Sequence, residues 1–496
     1  MFRKILVANR GEIAIRVLRA ARELGIPTVA VYSEADAAAP HVHSAGESAC
    51  IGSAEPSKSY LSFDRIFEAA RATGADAVHP GYGFLAENHE FAAACEDRKI
   101  VFIGSNSESI RLLGSKTESR RTMAAAGIPV IPGMQAGGES LETFAAEAER
   151  VGYPVLIKAS GGGGGKGMRI VRAPEALGDA VEAARREARS AFGNDSVYLE
   201  KLIEKPRHVE FQVLGDRDGN VVHLFERECS IQRRHQKIVE ESPSTALDPE
   251  LRRRMGEAAV RVVRTAHYTN AGTVEFLLDP DGSFYFLEVN TRIQVEHPVT
   301  EMLTGVDLVK AQIRVAAGDL LPWKQEDLAA RGHAIECRVY AEDPEAGFLP
   351  SAGKILFMRE PSGPGVRVDS GIESGYEVPV HYDPILSKVI VRAEDRPAAI
   401  RKMRLALADY PILGIRTIVP FLLAVLDHPE FVAGNTHTGF IEEHLKEWKG
   451  RGDAADFDAA LLAAALAADS RAPEGASRSA RAPTPWQTLG KWEIGR

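Results

Sequence analysis

The stretch that most limits what this chain can fold into runs from residue 273 to residue 296. Two β-rich runs, 273–278 and 283–289, flank Asp279-Pro280-Asp281-Gly282, whose Pro and Gly favour a tight reversal, so a β-hairpin is expected. If Leu278 pairs with Ser283, Glu275 falls opposite Phe286, and alternation along a strand puts Glu275, Glu288 and Asn290 on one face. Alternation alone also fits a half-exposed hairpin with a solvated polar face. Phe284-Tyr285-Phe286-Leu287 is continuously apolar, however, which suits a strand covered on both sides. A carboxylate buried beside such a run needs a partner. Oxygen ligands without nearby Cys or His point to Mg²⁺ or Mn²⁺, ions commonly carried with nucleotide phosphates. The same two-residue beat continues through Arg292, Gln294 and Glu296, adding a cation, an amide and a third acid.

Upstream, residues 4–8 (KILVA) read as a buried strand, followed by Asn9-Arg10-Gly11-Glu12 and a helix over about 13–24. Residues 26–32, 77–79 and 100–103 read as further strands with helical segments between them. Such alternation predicts an α/β, doubly wound parallel sheet over the first 110 residues or so. The turn after the first strand lacks GxGxxG, so a dinucleotide site is poorly supported. His79-Pro80-Gly81-Tyr82-Gly83 is a loop at a strand end, the edge where such sheets place their sites.

A second region begins near Leu113, with Gly114-Ser115-Lys116 and a helix broken by Gly127-Ile128-Pro129. A strand at 155–158 runs into the glycine-dense stretch 160–168 and returns at 169–171. Glycine so dense lets backbone N–H groups wrap an anion at a hairpin tip; the pattern is not a Walker loop. A flexible linker is the alternative, but Lys158 sits in the apolar strand just before it and is costly to bury unless a phosphate or carboxylate meets it. Residues 197–203 fit either the hinge of a nucleotide pocket or a domain connector. Residues 208–213 alternate cleanly, and 226–237, densely polar, read by themselves as an exposed charged loop.

After a helix over about 303–317 the texture changes near Gly332. Residues 334–340 alternate, with Glu336, Arg338 and Tyr340 on one face and Ile335, Cys337 and Val339 on the other. Further β segments at 354–357, 366–369 and 388–392, with a helix over 396–407, predict a separate mixed, mainly antiparallel α+β domain. Beyond 449 the chain turns Ala-rich and then Ser/Pro/Arg-rich, as a helix, a linker and a short tail would.

At 496 residues the chain is too long for one core. Its net charge of -9 argues against a general nucleic-acid partner. There is no early apolar signal segment and no run near the roughly 18 apolar residues of a membrane span, so a cytoplasmic protein without a membrane partner is expected. The four cysteines, Cys50, Cys95, Cys229 and Cys337, lie far apart without a CxxC pair, which suggests neither a zinc site nor a disulfide framework.

Taken in order, ANRGEIA at 8–14, HPGYGFLAEN at 79–88, the glycine loop, RHVEFQV at 207–213, SIQRRHQK at 230–237 and EVNTRIQVEHPVTE at 288–301 resemble biotin carboxylase. This is the ATP-grasp component of acetyl-CoA carboxylase and other biotin-dependent carboxylases, and the resemblance covers about residues 1–448. It implies an N-terminal α/β domain over 1–112, an ATP-grasp domain over 113–331 with a glycine-loop lid at about 130–203, a C-terminal domain over 332–448, a tail over 449–496, and a homodimer.

Carried over residue by residue, the resemblance assigns nucleotide contacts to Lys116, Lys158, Gly164, Gly165, Met168, Glu200, Lys201, Ile203, His208, Gln232 and His235. It assigns the metal, two Mg²⁺ or Mn²⁺ ions, to Glu275, Glu288 and Asn290. Lys237, Arg292, Gln294, Val295, Glu296 and Arg338 match the bicarbonate and biotin centre. The implied chemistry has Glu296 as general base on bicarbonate, attack on the γ-phosphate of ATP to give carboxyphosphate, and Arg338 steadying the biotin enolate. Closure of the glycine lid would exclude water.

Ser105, Ser115 and Ile418 depart from the family's usual residues, and none is assigned to chemistry. No AMKM-type biotinyl-lysine motif is present, so biotin is expected on a carrier protein or on a part outside this sequence, with carboxyltransferase subunits as further partners and fatty acid biosynthesis as the default context. The terminal PWQTLGKW resembles the start of the extension found in longer acyl-CoA carboxylase subunits. The rival readings are another ATP-grasp ligase, of carbamoyl-phosphate or purine-pathway type, and a non-catalytic nucleotide-binding scaffold subunit.

Overall fold

Five short strands open the chain: β1 Ile5–Val7, β2 Thr28–Ser33, β3 Glu47–Gly52, β4 Ala77–His79 and β5 Val101–Phe102. They pair in the order β3-β2-β1-β4-β5, and every pair is parallel, as the alternating strand and helix pattern predicts. β3 (ESACIG) has no apolar run and is the one strand of this sheet that the pattern does not announce. Strand order reverses between β1 and β4, and the crevice at their carboxyl ends is where such sheets accept ligands. Two loops meet there, because Asn9 Nδ2 donates to the carbonyls of Pro80 (2.7 Å) and Tyr82 (2.6 Å).

The computed structural model describes residues 1–134, 140–159, 168–234 and 236–450. Its second sheet is small: β6 Val155–Ala159 lies between β7 Arg169–Val171 and β8 Val197–Lys201, antiparallel to both. Ile157 pairs with Arg169, so the segments flanking the glycine-dense stretch form the two arms of a hairpin. The helices Leu141–Val151 and Leu177–Phe192 pack on this sheet through Phe144, Ala148, Val181, Ala184 and Ala188.

The large sheet is antiparallel and eight-stranded. In chain order its strands are β9 Arg207–Gly215, β10 Val221–Arg233, β11 Gln236–Ser242, β12 Asn270–Leu278, β13 Phe284–Asn290, β14 His333–Tyr340, Val366–Ser370 and Ile385–Ala393. In space they run β13-β12-β9-β10-β11-β14, then Ile385–Ala393 and Val366–Ser370. The antiparallel strands expected after residue 332 are present: the longer ones join the central sheet, while the short ones at Gly353–Lys354 and Phe357–Met358 pair in two-stranded sheets of their own. β14 pairs with β11 from Val239↔Cys337 to Ser242↔Ala334 and so extends the central sheet. Met1–Trp448 accordingly form one compact unit. In the remainder, Lys449–Arg496, residues 451–496 lie outside the described residues, with the helix and linker expected there.

Three local expectations change. Residues 226–233 and 236–237 do not form an exposed loop: they belong to β10 and β11, with Glu226, Arg227 and Glu228 at most 2% exposed, because their charges are matched by partners rather than by water. The helix expected over 303–317 is two, His297–Thr304 and Leu308–Ala316. Gly305 at φ +77 ends the first, and the Asp307 side chain accepts from Lys310 N–H to start the second. The hairpin register also differs. Leu278 pairs with Phe284, Phe276 with Phe286, and Glu275 with Glu288, which leaves Leu287 as an extra residue, a β-bulge on β13. The bulge restores Glu275, Glu288 and Asn290 to one face by a different route from the one expected. Phe284 and Phe286 are buried while Tyr285 and Leu287 are half-buried, so protein covers one face of the strand and the second faces the cleft described next.

Candidate functional site

A single cleft of about 1860 Å³ lies between the strand-end loops of the first sheet, the small sheet and one face of the large sheet. Lys116, Lys158, Met168, Glu200, Lys201, Ile203, His208, Gln232, Lys237, Glu275, Glu288, Asn290, Arg292, Gln294, Val295 and Arg338 all border it. Glu296 lies just beneath, fully buried. Gly164, Gly165 and His235 lie outside the described residues.

At the centre is one ammonium among three carboxylates. Lys237 Nζ is 2.5 Å from Glu210 Oε2, 2.8 Å from Glu275 Oε1 and 2.8 Å from Glu296 Oε1. Burial alone would push this lysine down, but the three acids outweigh it and hold it well above its usual range, so it stays charged. The other oxygen of Glu296 accepts from Arg338 Nη2 at 2.9 Å, while Arg338 Nε donates to Glu240 at 2.6 Å. Burial would raise the Glu296 carboxyl, but Lys237, Arg338 and Arg227 hold it well below the ordinary carboxylate range. The result is an ionised acceptor bracketed by two cations.

The hairpin carries the rest. Glu275 accepts from Asn290 Nδ2 at 2.9 Å and from Gln294 Nε2 at 3.1 Å, and its second oxygen lies 3.0 Å from His208 Nε2. Burial would raise Glu275 too, and Lys237 with His208 hold it well below the usual range. Glu288 meets Lys116 Nζ at 3.1 Å. Lys158 finds the carboxylate its burial demands, Glu200 at 2.6 Å, and Arg120 joins the same acid. Lys201 borders the cleft, and its ammonium donates to the carbonyls of Gly152 (2.9 Å) and Tyr153 (3.1 Å). Arg292 donates to Glu87 Oε2 at 2.9 Å and to Asn290 Oδ1 at 3.0 Å, so the HPGYGFLAEN segment supplies the acid that orients it.

Hard oxygen donors from Glu275, Glu288 and Asn290, with ammonium groups of Lys116 and Lys237 resting on the two carboxylates, fit a cation-binding face. Cys229, inside the charged segment, is fully buried with Sγ 3.9 Å from Glu296 Oε1, and burial beside acids pushes its thiol well above the usual range. It is an inert neighbour.

Several residues of this centre escape sequence reasoning. Arg227, fully buried, donates to Glu210 Oε1 (2.6 Å), Gln212 Oε1 (2.8 Å), Thr300 Oγ1 (3.0 Å) and Thr273 Oγ1 (3.0 Å), tying β9, β10, β12 and the helix His297–Thr304 together. Lys388, also fully buried, donates to the Val295 carbonyl at 2.9 Å and lies 3.1 Å from Glu12 Oε2. It thereby fixes the Val295–Glu296 peptide from below. Glu12 is in turn bonded by Tyr82 Oη, and the start of its helix packs so tightly on Gly371 that a Cβ there would stand 2.7 Å from Glu12 N. A lysine in the apolar strand LSKVIV was the available signal, the same one that singles out Lys158.

Glu336, two residues from Arg338, differs from the other acids. Both its oxygens are buried without a hydrogen-bond partner among the described residues, and burial together with Glu240 and Glu296 pushes it well above the usual carboxyl range, so it carries a proton. Below the ordinary carboxyl value of about 4.3 this adds nothing to the pH dependence of stability. Above that value the native state must keep a proton that the unfolded chain releases, so stability falls as pH rises toward the folded value. Glu336→Gln removes that slope: its melting temperature should gain on the parent's between about pH 5 and about pH 8. Parallel curves would show that Glu336 is ionised in the native protein.

Residues 1–110 match the family model "Biotin carboxylase, N-terminal domain", 115–324 match "Carbamoyl-phosphate synthase L chain, ATP binding domain", and 336–443 match "Biotin carboxylase C-terminal domain". The chain is 52% identical over 445 residues to the biotin carboxylase of Nostoc, covering 90% of this chain and 100% of that one. It is 52% identical over 445 residues to the mitochondrial methylcrotonoyl-CoA carboxylase subunit alpha of Rattus norvegicus, covering 90% of this chain but only 62% of the relative. Among solved structures, the biotin carboxylase domain dimer of Hydrogenobacter thermophilus 2-oxoglutarate carboxylase, in complex with MgADP, ADP and bicarbonate, superposes with a TM-score of 0.84 at 50% identity, covering 90% of this chain and 98% of that one.

Proposed function

Because this chain belongs to the biotin carboxylase family, we propose that its cleft activates bicarbonate with ATP and carboxylates biotin, as an ATP-dependent ligase. The observation that carries the reading is the pairing of an ionised, buried Glu296 with Lys237 on one oxygen and Arg338 on the other. A base alone would suit many hydrolases; a base clamped between two cations suits a substrate that arrives as an anion.

The order of events follows from charge. Bicarbonate enters beside Lys237 and Arg292, with Gln294 and the Val295 main chain completing its cradle. Its negative charge offsets the cations that depress Glu296, so the proton affinity of this carboxylate rises as the anion arrives. Glu296 then takes the bicarbonate proton. Lys388, by holding the Val295 carbonyl, keeps the Glu296 main chain still during the transfer. Lys116, Lys158 and His208 face the ATP phosphates, while Glu200, Lys201, Ile203 and Gln232 border the remainder of the nucleotide, with Met168 at the foot of the glycine-dense stretch. Glu275, Glu288 and Asn290 would hold Mg²⁺ or Mn²⁺, which neutralises phosphate charge when bound. Arg338, already aimed at the centre and buried, holds the ureido oxygen of biotin and stabilises negative charge there.

The biotin is proposed to come on a carrier protein, and the acyl acceptor to be set by carboxyltransferase subunits. The solved relative is a dimer, and a homodimer is proposed here. The decisive experiment measures ATP hydrolysis in bicarbonate with and without free biotin. Stimulation by biotin is expected; its absence, with hydrolysis otherwise intact, would overturn the assignment in favour of another ATP-grasp ligase.

A further inference from the structure

The helix Phe440–His444 and the turn before it have two working faces. Thr438, Ile441, Glu442 and Leu445 border the nucleotide cleft. His437, Glu443 and His444 point the other way, into a second cavity of about 840 Å³ that shares no residue with the first. One ligand atom from each of these three residues lies within 4.8 Å of the other two, and His437 Nε2 is 3.3 Å from Glu443 Oε2. Bonds of about 2.0–2.2 Å to one tetrahedral ion place neighbouring ligand atoms roughly 3.3–3.6 Å apart, which matches the 3.3 Å between His437 and Glu443.

The surroundings favour ligation. The ring of His428 lies tilted with its centroid 4.7 Å from that of His444, and its Nδ1 accepts from Glu430 N–H, so a third imidazole stands at the edge of the group. Two contacts must be exchanged. Lys205 donates to Glu443 Oε1 at 2.8 Å, but it is 61% exposed and can turn to water while Oε2 serves the ion. The Gly439 N–H that rests on His437 Nδ1 at 3.2 Å gives way to the Nδ1 proton that ligation through Nε2 requires.

We propose that His437, Glu443 and His444 form a binding site for a divalent transition metal of the zinc class, completed by water. Two imidazoles and one carboxylate select Zn²⁺, Co²⁺, Ni²⁺ or Cu²⁺ over Mg²⁺, which separates this site from the oxygen-lined face in the cleft. Its occupancy stiffens a helix whose opposite face walls the nucleotide.

The test uses the full chain with Co²⁺ as the probe, in saturating Mg²⁺ so that the cleft's oxygen ligands are taken. The parent should bind one more equivalent of Co²⁺ than His437→Ala/His444→Ala, with a visible absorption band characteristic of nitrogen-ligated Co²⁺ that the double variant lacks. Glu443→Gln, at a half-exposed position where folding is not at stake, should weaken Co²⁺ binding by about tenfold or more, on the order of one ligand's contribution. Equal uptake and equal spectra in parent and double variant would overturn the site. So would a Glu443→Gln protein that binds Co²⁺ as tightly as the parent.

Discussion

Glu296→Gln should lower bicarbonate-dependent ATP turnover by about 10²- to 10⁴-fold, the usual contribution of a positioned general base. The amide keeps the shape of the side chain and its bonds to Lys237 and Arg338 in part, but it has no lone-pair charge to accept the bicarbonate proton. The variant should still bind nucleotide, because Glu296 is fully buried beneath the cleft and touches neither Lys116 nor Lys158. A split of this kind, chemistry lost and nucleotide affinity kept, separates a base from a residue that merely shapes the pocket. Turnover within about tenfold of the parent would assign the proton to another acceptor.

The second large effect is on stability. Arg227→Met should cost about 3–5 kcal/mol, the range found when one partner of a buried ion pair is removed. Arg227 has no exposed side-chain surface, and its guanidinium answers Glu210, Gln212, Thr273 and Thr300 together. Its loss leaves the Glu210 Oε1 and two threonine hydroxyls buried without their donor, and Lys237 alone to neutralise Glu210. The drop should appear as a lower thermal midpoint, with Arg227→Lys intermediate because an ammonium cannot serve four acceptors on three elements at once. A loss under about 1 kcal/mol would mean that water replaces the arginine.

What could be read from the chain, and what could not, divides along a physical line. Glu275, Glu288 and Asn290 were expected on one face, and they are, but the expected register would have put Glu275 opposite Phe286; the bulge at Leu287 that sets Glu275 against Glu288 leaves no trace in alternation. The parallel first sheet was legible because four of its five strands are short apolar runs between helices; β3, which has none, was not. Lys158 was legible as a buried cation, since its local sequence contradicts solvent exposure. Residues 226–237 misled by composition alone: a segment dense in Glu and Arg looks solvated until its partners are known, and those partners, Glu210, Thr300, Glu342 and Glu296, lie on other strands, a helix and the turn that precedes it. Lys388 and Glu12, separated by most of the chain, could be joined only by the fold.

The sharing of one sheet by the middle and the end of the chain also bears on how the protein is made. β11 is synthesised roughly ninety residues before β14, its eventual neighbour, and Lys388 follows Lys237 by roughly 150, so at ordinary ribosomal rates β11 waits several seconds with an open edge. An open edge strand invites pairing with another chain, and charged side chains are the standard protection. β11 reads QKIVEES. Lys237, Glu240 and Glu241 thus guard the nascent sheet against aggregation before any of them has a partner from β14, and the later arrival of His333, Arg338 and Arg396 converts that guard into the reaction centre and its supports.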